Sequence, residues 1–455
     1  MIENKVTSKK ISFIVLTGLF FIWGFIISMN DILIPYFKGI FELSYFQATL
    51  VQFAFFGSFF IGSLTYFLLS VRIGDPIALI GYKNGMSLGL IVAGLGCLLF
   101  YPAATLHSYG FFLGALFCLG TGITLLQIAA NPYAALLGSE KTASSRLNLA
   151  QGVNSLGTVI GPLLGGYLIF EFFFDPESLK AGSVQIPYII FSVVFILLSI
   201  LVYFTPFPEY HRSDSPEKGL GVFQFPQLTL GVVAIFMAVG AEVAIGSLLI
   251  NFFRLEEIAG LSNVEASKFV AFYWGGLMIG RLLGAVFFSE VNKNKKNIFS
   301  ILIILIALGV IYLTNGLKIT LIFLLLIFIN LIAFRFGKSL PGRTTGLFSL
   351  HIIILLIVAF FTRGQIAMWS IIGIGLFASI MWSNIFTLAI RGLGKYTSQG
   401  SSLLIMAILG AALIPPIQGI IADNFGVQRS FIIILLCHLF VSWYGFVGSK
   451  KIKLT

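Results

Sequence analysis

Long apolar runs separated by short polar clusters fill this chain from end to end. The runs lie at roughly 11–37, 48–71, 85–103, 109–137, 146–173, 186–206, 225–253, 267–289, 298–315, 318–335, 345–362, 366–390, 400–422 and 429–448. Each is close to or longer than the ~20 apolar residues that carry a helix across a bilayer. The pattern predicts an all-α polytopic membrane protein of about fourteen spans. An even number puts both termini on one side. The longest polar stretch, Pro208 to Gly219, is too short to build a soluble core.

The polar positions inside the runs carry the chemistry. Asp31, Glu242 and Arg281 are ionisable residues within spans. Charges in hydrocarbon are costly and mark ion or substrate pathways. Helical spacing also draws polar stripes. Gly120, Thr124, Gln127 and Asn131 share one face. Gln151, Asn154, Thr158 and Pro162 share another, and Ser28, Asp31 and Pro35 a third. An amide without a partner in lipid costs several kcal/mol. Each stripe therefore faces either a wet cavity or a neighbouring helix that it hydrogen-bonds.

The two halves of the pattern repeat. The stretch from Gly24 to Phe37 aligns without a gap on Gly240 to Phe253. Phe56-Gly57 and Gly62-Ser63 match Trp274-Gly275 and Gly280-Arg281. Gly157, Pro162 and Gly166 match Gly410, Pro415 and Gly419, and Asn131 to Gly138 parallels Asn384 to Gly394. Parallel repeats of six helices are a transporter architecture. The organisation expected is a first bundle at 1–206, a linker at 207–224 and a second bundle at 225–455. The second half has two spans too many. The aliphatic pair at about 298–335, joined by Asn315-Gly316-Leu317 and holding only Asn330 as a mid-span polar residue, is the expected insertion.

Composition changes the picture only through charge. The chain has 455 residues, is 58% hydrophobic and carries a net charge of +11. That excess could suggest nucleic acid, but its placement argues otherwise. Of 28 Lys and Arg, 20 lie at the termini and in alternate loops on their side; 7 lie in the other loops, and Arg281 is within a span. The positive-inside rule puts both termini in the cytoplasm, with some attraction to anionic membrane lipids. The first run exceeds a signal-peptide core and shows no small-residue cleavage site. Cys97, Cys118 and Cys437 fall in spans without metal or disulfide spacing, and the four His are scattered. Gly337-Lys338-Ser339 resembles part of a nucleotide loop, but Ile332 stands where the loop needs glycine. An enzyme, a metal site and an ATP site are therefore not expected, and no cofactor is.

Carboxamides and a carboxylate suit a sugar, because each amide offers both donors and acceptors to neighbouring hydroxyls. Trp23, Trp274, Trp382 and Tyr273 are candidate partners for a sugar ring, though packing explains any one of them equally well. Asp31 is the expected coupling residue, since a carboxylate in low dielectric titrates nearer neutral pH. Arg281 stays charged and pairs with an acid or a substrate; a static salt bridge to Asp31 is one alternative, and Glu242 is either its ion-pair or gating partner or a packing residue between helices. The competing reading is efflux, or another small-metabolite carrier.

Three segments extend the picture. Asn30-Asp31-Ile-Leu-Ile-Pro35, Gln127-Ile-Ala-Ala-Asn-Pro132 and the run from Ala143 to Gly157, with Arg-Leu-Asn-Leu-Ala-Gln at its centre, resemble the fucose:proton symporter family of the major facilitator superfamily. Gly240-Ala-Glu-Val, Gly280-Arg281 and Gln399-Gly-Ser-Ser402 extend the likeness, which is nearest to the bacterial glucose/galactose transporters. The resemblance implies two pseudo-symmetric six-helix bundles and alternating access. It implies uptake of a neutral monosaccharide such as glucose, galactose or L-fucose by a functional monomer in a bacterial inner membrane. It also implies that Asp31 is proton-linked and that Gln151 and Asn154 touch sugar, with Gln127, Asn131, Arg281, Trp382 and Asn384 completing the expected substrate set. Gln127 stands where fucose transporters carry a glutamate, and Trp382 where they carry a tyrosine. The first departure removes one titrating group and leaves H+ or Na+ as the coupling ion.

Overall fold

The structure is a computed structural model that describes residues 2–43, 45–172, 181–208 and 218–450. Half of the expected linker, 209–217, lies outside the described residues. The main helices are α1 (Ile2–Ile40), α2 (Tyr45–Ile73), α3 (Tyr82–Leu98), α4 (Tyr109–Leu136), α5 (Ala143–Tyr167), α6 (Gln185–Phe204), α7 (Pro226–Arg254), α8 (Asn263–Phe287), α9 (Lys293–Gly337) and α10 (Pro341–Phe361). The last three are α11 (Gly364–Ala378, resuming as Met381–Ala389), α12 (Thr397–Met406, resuming as Gly410–Phe425) and α13 (Ile432–Phe446).

Twelve helical stretches among the described residues are long and apolar enough to cross a membrane. One of them, α9, has 45 residues. At 1.5 Å per residue that is roughly 67 Å, about twice a bilayer core. It breaks at Gly316, whose φ of 77° and ψ of 178° only glycine tolerates well. Both ends of α9 line a single groove, so its arms, 293–315 and 317–337, form a hairpin. The polar stripe of α5 keeps that 25-residue helix outside the apolar twelve. With α5 added and α9 taken as a pair, the described residues provide about fourteen spans by length and composition. The α9 hairpin is the inserted pair, and it packs on α8, α10 and α11. Its second arm carries the docking. Asn330 Nδ2 donates to the Leu376 carbonyl at 3.2 Å, and Phe334 stacks on Phe287 with centroids 4.6 Å apart.

Contacts divide the chain into two compact units. The first comprises Met1–Gly138, Val153–Val222 and Leu393–Met406; the second comprises Ser139–Gly152, Phe223–Gly392 and Ala407–Thr455. The halves seen in the sequence thus exchange two segments, the start of α5 and the start of α12. Within the first unit α2 packs on α4 and α3 packs on both α4 and α6; within the second α8 packs on α11 and α10 packs on both α11 and α13.

Small residues explain why the two packings match. Membrane helices approach closely only where side chains are small. On α4, a Cβ added to Gly120 would meet the Phe55 carbonyl of α2 at 2.8 Å. On α11, a Cβ on Gly375 would collide with the Tyr273 carbonyl of α8. Phe55 and Tyr273 are equivalent in the repeat. In the same way Gly157 of α5 meets the Phe21 carbonyl of α1, and Gly410 of α12 meets the Phe236 carbonyl of α7.

Between α2 and α3 the chain turns through Gly74 and Asp75. Asp75 caps the five-residue helix Pro76–Ile80, accepting from the Ile77 and Ala78 amides at 3.0 and 3.4 Å and from the Tyr66 hydroxyl. Burial lifts its carboxyl above the usual carboxylate range, and these hydrogen bonds hold it partway down. In the same unit Ser398, at the start of α12, donates to the Tyr82 hydroxyl at 3.2 Å. Asp75→Ala would take the acceptor from the Ala78 amide and the Tyr66 phenol and leave the Ile77 amide only its 3.2 Å bond to the Tyr66 hydroxyl. We expect it to cost about 1–2 kcal/mol and to lower the thermal midpoint of the detergent-purified protein. Asp75→Asn keeps an acceptor and should recover most of that loss.

Candidate functional site

The first unit holds buried carboxamides on α4. Asn131 is fully buried and its Nδ2 donates to the Gln127 backbone carbonyl at 3.0 Å, one turn back. Gln127 is 2% exposed. The Gln127 Nε2 and the Asn131 Oδ1 have no hydrogen-bond partner among the described residues. A donor and an acceptor thus stand ready on one face of the helix, at a cost that an internal partner would have removed. The upper part of the same stripe behaves differently. Gly120 and Thr124 lie against α2, and Thr124 Oγ1 bonds the Gly120 carbonyl at 2.8 Å.

Asn154 also belongs to this unit. Its Nδ2 donates to the Phe20 carbonyl of α1 at 2.8 Å, and Gly24 leaves room for the Asn154 backbone. One amide donor is therefore committed to holding α5 on α1. Trp23 is buried against Phe20, with centroids 4.7 Å apart. Asp31 lies in α1, but its side chain falls outside the described residues.

The second unit holds the charged pair. Arg281 of α8 lies 3.5 Å from the Glu242 carboxylate of α7, with side-chain exposures of 13% and 17%. Arg281 Nε donates to the Ser379 carbonyl at 3.2 Å. That carbonyl sits where α11 breaks between Ala378 and Met381, so the guanidinium meets an acceptor at the helix break. Tyr273 OH donates to the Glu242 backbone carbonyl at 3.2 Å. Trp274 is 41% exposed and lies over Gly246, where any side chain would meet its ring. Trp382 is half-buried and stacks on Phe386 with centroids 4.9 Å apart and planes at 12°.

Asn384 is placed elsewhere from Trp382, roughly 200° around the helix. It accepts from Asn148 Nδ2 at 3.1 Å and donates to Thr345 Oγ1 at 3.2 Å. It belongs to a polar brace on the start of α5. There Ser144 and Thr387 share a 2.8 Å hydrogen bond, Ser145 donates to the Ala285 carbonyl, and Glu140 pairs with Arg391. Gln151, at the end of the same segment, is 7% exposed. Apart from Asn384, the brace residues were missed in the sequence. The available signal was Asn148, one turn ahead of Gln151 on the α5 stripe. No group of three or more His, Cys, Asp or Glu gathers among the described residues.

Matched helical units, glycine-lined crossings, buried amides in one unit and a buried ion pair in the other define a multi-span membrane carrier built by duplication. The chain belongs to the Major Facilitator Superfamily, whose family model matches residues 12–337. It is a transporter and not an enzyme. It is 39% identical over 440 residues to the glucose/galactose transporter of Brucella abortus biovar 1 (strain 9-941), covering 96% of this chain and 93% of that one. It is 29% identical over 443 residues to the L-fucose-proton symporter of Escherichia coli (strain K12), covering 92% and 88%. The crystal structure of the E. coli fucose:proton symporter matches at a TM-score of 0.75 with 27% identity, covering 97% and 99%.

Proposed function

We propose that this transporter takes up a neutral monosaccharide of the glucose/galactose type together with a proton, by alternating access. The observation that carries the reading is the 39% identity to a glucose/galactose transporter across nearly the whole of both chains. The α4 amides supply chemistry that agrees with it. Gln127 Nε2 offers a donor and Asn131 Oδ1 an acceptor, which is what a pair of hydroxyls needs. Similarity to a proton symporter supports H+ as the coupling ion. The charge distribution supports a bacterial inner-membrane topology with both termini cytoplasmic. The protein acts as a single chain, with Asn154 the further sugar-contact candidate of the first unit and Gln151, Arg281, Trp382 and Asn384 those of the second.

The test is uptake into proteoliposomes with labelled glucose, galactose and L-fucose under imposed proton or sodium gradients. Accumulation of a hexose above equilibrium under an inward proton gradient is expected. Accumulation driven by sodium alone would reassign the ion, and no movement of any of the three sugars would end the reading.

Gln127→Ala tests the amide directly. The Asn131 bond uses the Gln127 backbone and survives the change. Loss of one buried hydrogen bond to substrate is worth about 1–3 kcal/mol. Sugar affinity measured by titration should therefore fall by roughly five- to a hundredfold. An unchanged affinity would make Gln127 a packing residue.

A further inference from the structure

Between the two ends of the α9 hairpin lies an open groove of about 610 Å³. Lys293 and Lys296 line it from the first arm, and Arg335 and Lys338 from the end of the second. Ile301 and Phe334 contribute apolar walls, and among the described residues no carboxylate lines it. None of the four cations is ion-paired among the described residues. Lys296 is fixed, with Nζ donating to the Phe287 carbonyl at the end of α8 at 2.9 Å, while Lys293, Arg335 and Lys338 are exposed.

Four like charges around one groove repel one another, so their placement favours an anion. The surroundings narrow the kind of anion. The hairpin surface that continues from the groove is bare hydrocarbon, with Ile298 62%, Ile301 55% and Phe336 62% exposed. In a membrane that surface faces acyl chains. A free phosphate would use the cations alone. A lipid with an anionic head uses both parts, and basic pockets between membrane helices are sites for such heads.

We propose that this groove binds the headgroup of an anionic phospholipid, whose acyl chains run along the Ile301 side of the hairpin. The site does not depend on which solute is carried. Only the leaflet that supplies the lipid, the cytoplasmic one, rests on the topology proposed above.

The full chain, purified in detergent, would be exchanged into equal amounts of phosphatidylglycerol and phosphatidylcholine with matched chains and examined by native mass spectrometry. Retention of phosphatidylglycerol should exceed that of phosphatidylcholine at least tenfold. Each cation removed should lower retention about fivefold, so Lys293→Gln, Arg335→Gln and Lys338→Gln combined should abolish it. Arg335→Gln alone, together with the headgroup preference of the unaltered protein, keeps the test decisive if the triple variant does not fold. Equal retention of the two lipids, or full retention by the variants, would overturn the proposal. So would complete displacement by millimolar inorganic phosphate, which would make this a site for a soluble anion. Sugar exchange in vesicles of phosphatidylcholine alone reads the transport function separately, so failure of one reading is distinguishable from failure of the other.

Discussion

Asp31→Asn should bring sugar accumulation under a proton gradient down to equilibrium while sugar exchange across the membrane continues. Two carboxylates lie mid-span in this chain, Asp31 and Glu242. Glu242 is held by Arg281 at 3.5 Å, and the α4 position that could have titrated is the amide Gln127. We infer that Asp31 is the group that carries the proton. A charge moving down 100 mV delivers about 2.3 kcal/mol, which sustains roughly fiftyfold accumulation of a neutral solute. Asparagine imitates the protonated acid and cannot release it. The variant should load and exchange sugar, because counterflow requires no proton to leave. Its accumulation ratio, measured at steady state in energised vesicles, should be near one. A ratio equal to that of the unaltered protein would remove Asp31 from the coupling step.

The fold was legible where physics leaves few alternatives. A run of apolar residues long enough for two crossings, interrupted by Asn315-Gly316, has to fold back, and the positive φ of Gly316 is where it does. The duplication was legible because close helix crossings admit only small residues. Gly57 and Gly62 matched Gly275 and Gly280 in the sequence; of these, Gly62 lies against Thr124 of α4 and Gly280 against Leu376 and Ser379 at the α11 break, whereas Gly57 and Gly275 face open space. The exchange of 139–152 and 393–406 between units was not legible, since hydrophobic periodicity says which face is apolar and not which neighbour covers it.

The same limit governed the site. Helical spacing grouped Gly120 and Thr124 with Gln127 and Asn131, yet the first two serve the contact with α2 and the latter two keep atoms without a partner among the described residues. Asn154 was grouped with Gln151, and its donor bonds the Phe20 carbonyl. Asn384, expected beside substrate, is satisfied by Asn148 and Thr345. An amide in a sequence announces that a hydrogen bond will be made; only packing decides with whom.

Breaking the ion pair between α7 and α8 should have the second large effect. With both side chains less than one-fifth exposed, Arg281→Gln leaves the Glu242 carboxylate in a poorly solvated place without its counter-charge. Removing one member of a buried pair costs about 3–5 kcal/mol, whereas replacing both is often close to neutral. Arg281→Gln should therefore lower the thermal midpoint in detergent sharply, and adding Glu242→Gln should restore much of it. Transport separates structure from substrate contact. If Arg281 also touches sugar, the stable double variant will remain inactive; if its work is only to neutralise Glu242 and hold the α11 break at Ser379, exchange will return with stability. A double variant no more stable than Arg281→Gln would show that the 3.5 Å approach is not an energetic coupling, and the two helices would owe their registration to the Tyr273 hydrogen bond and to packing alone.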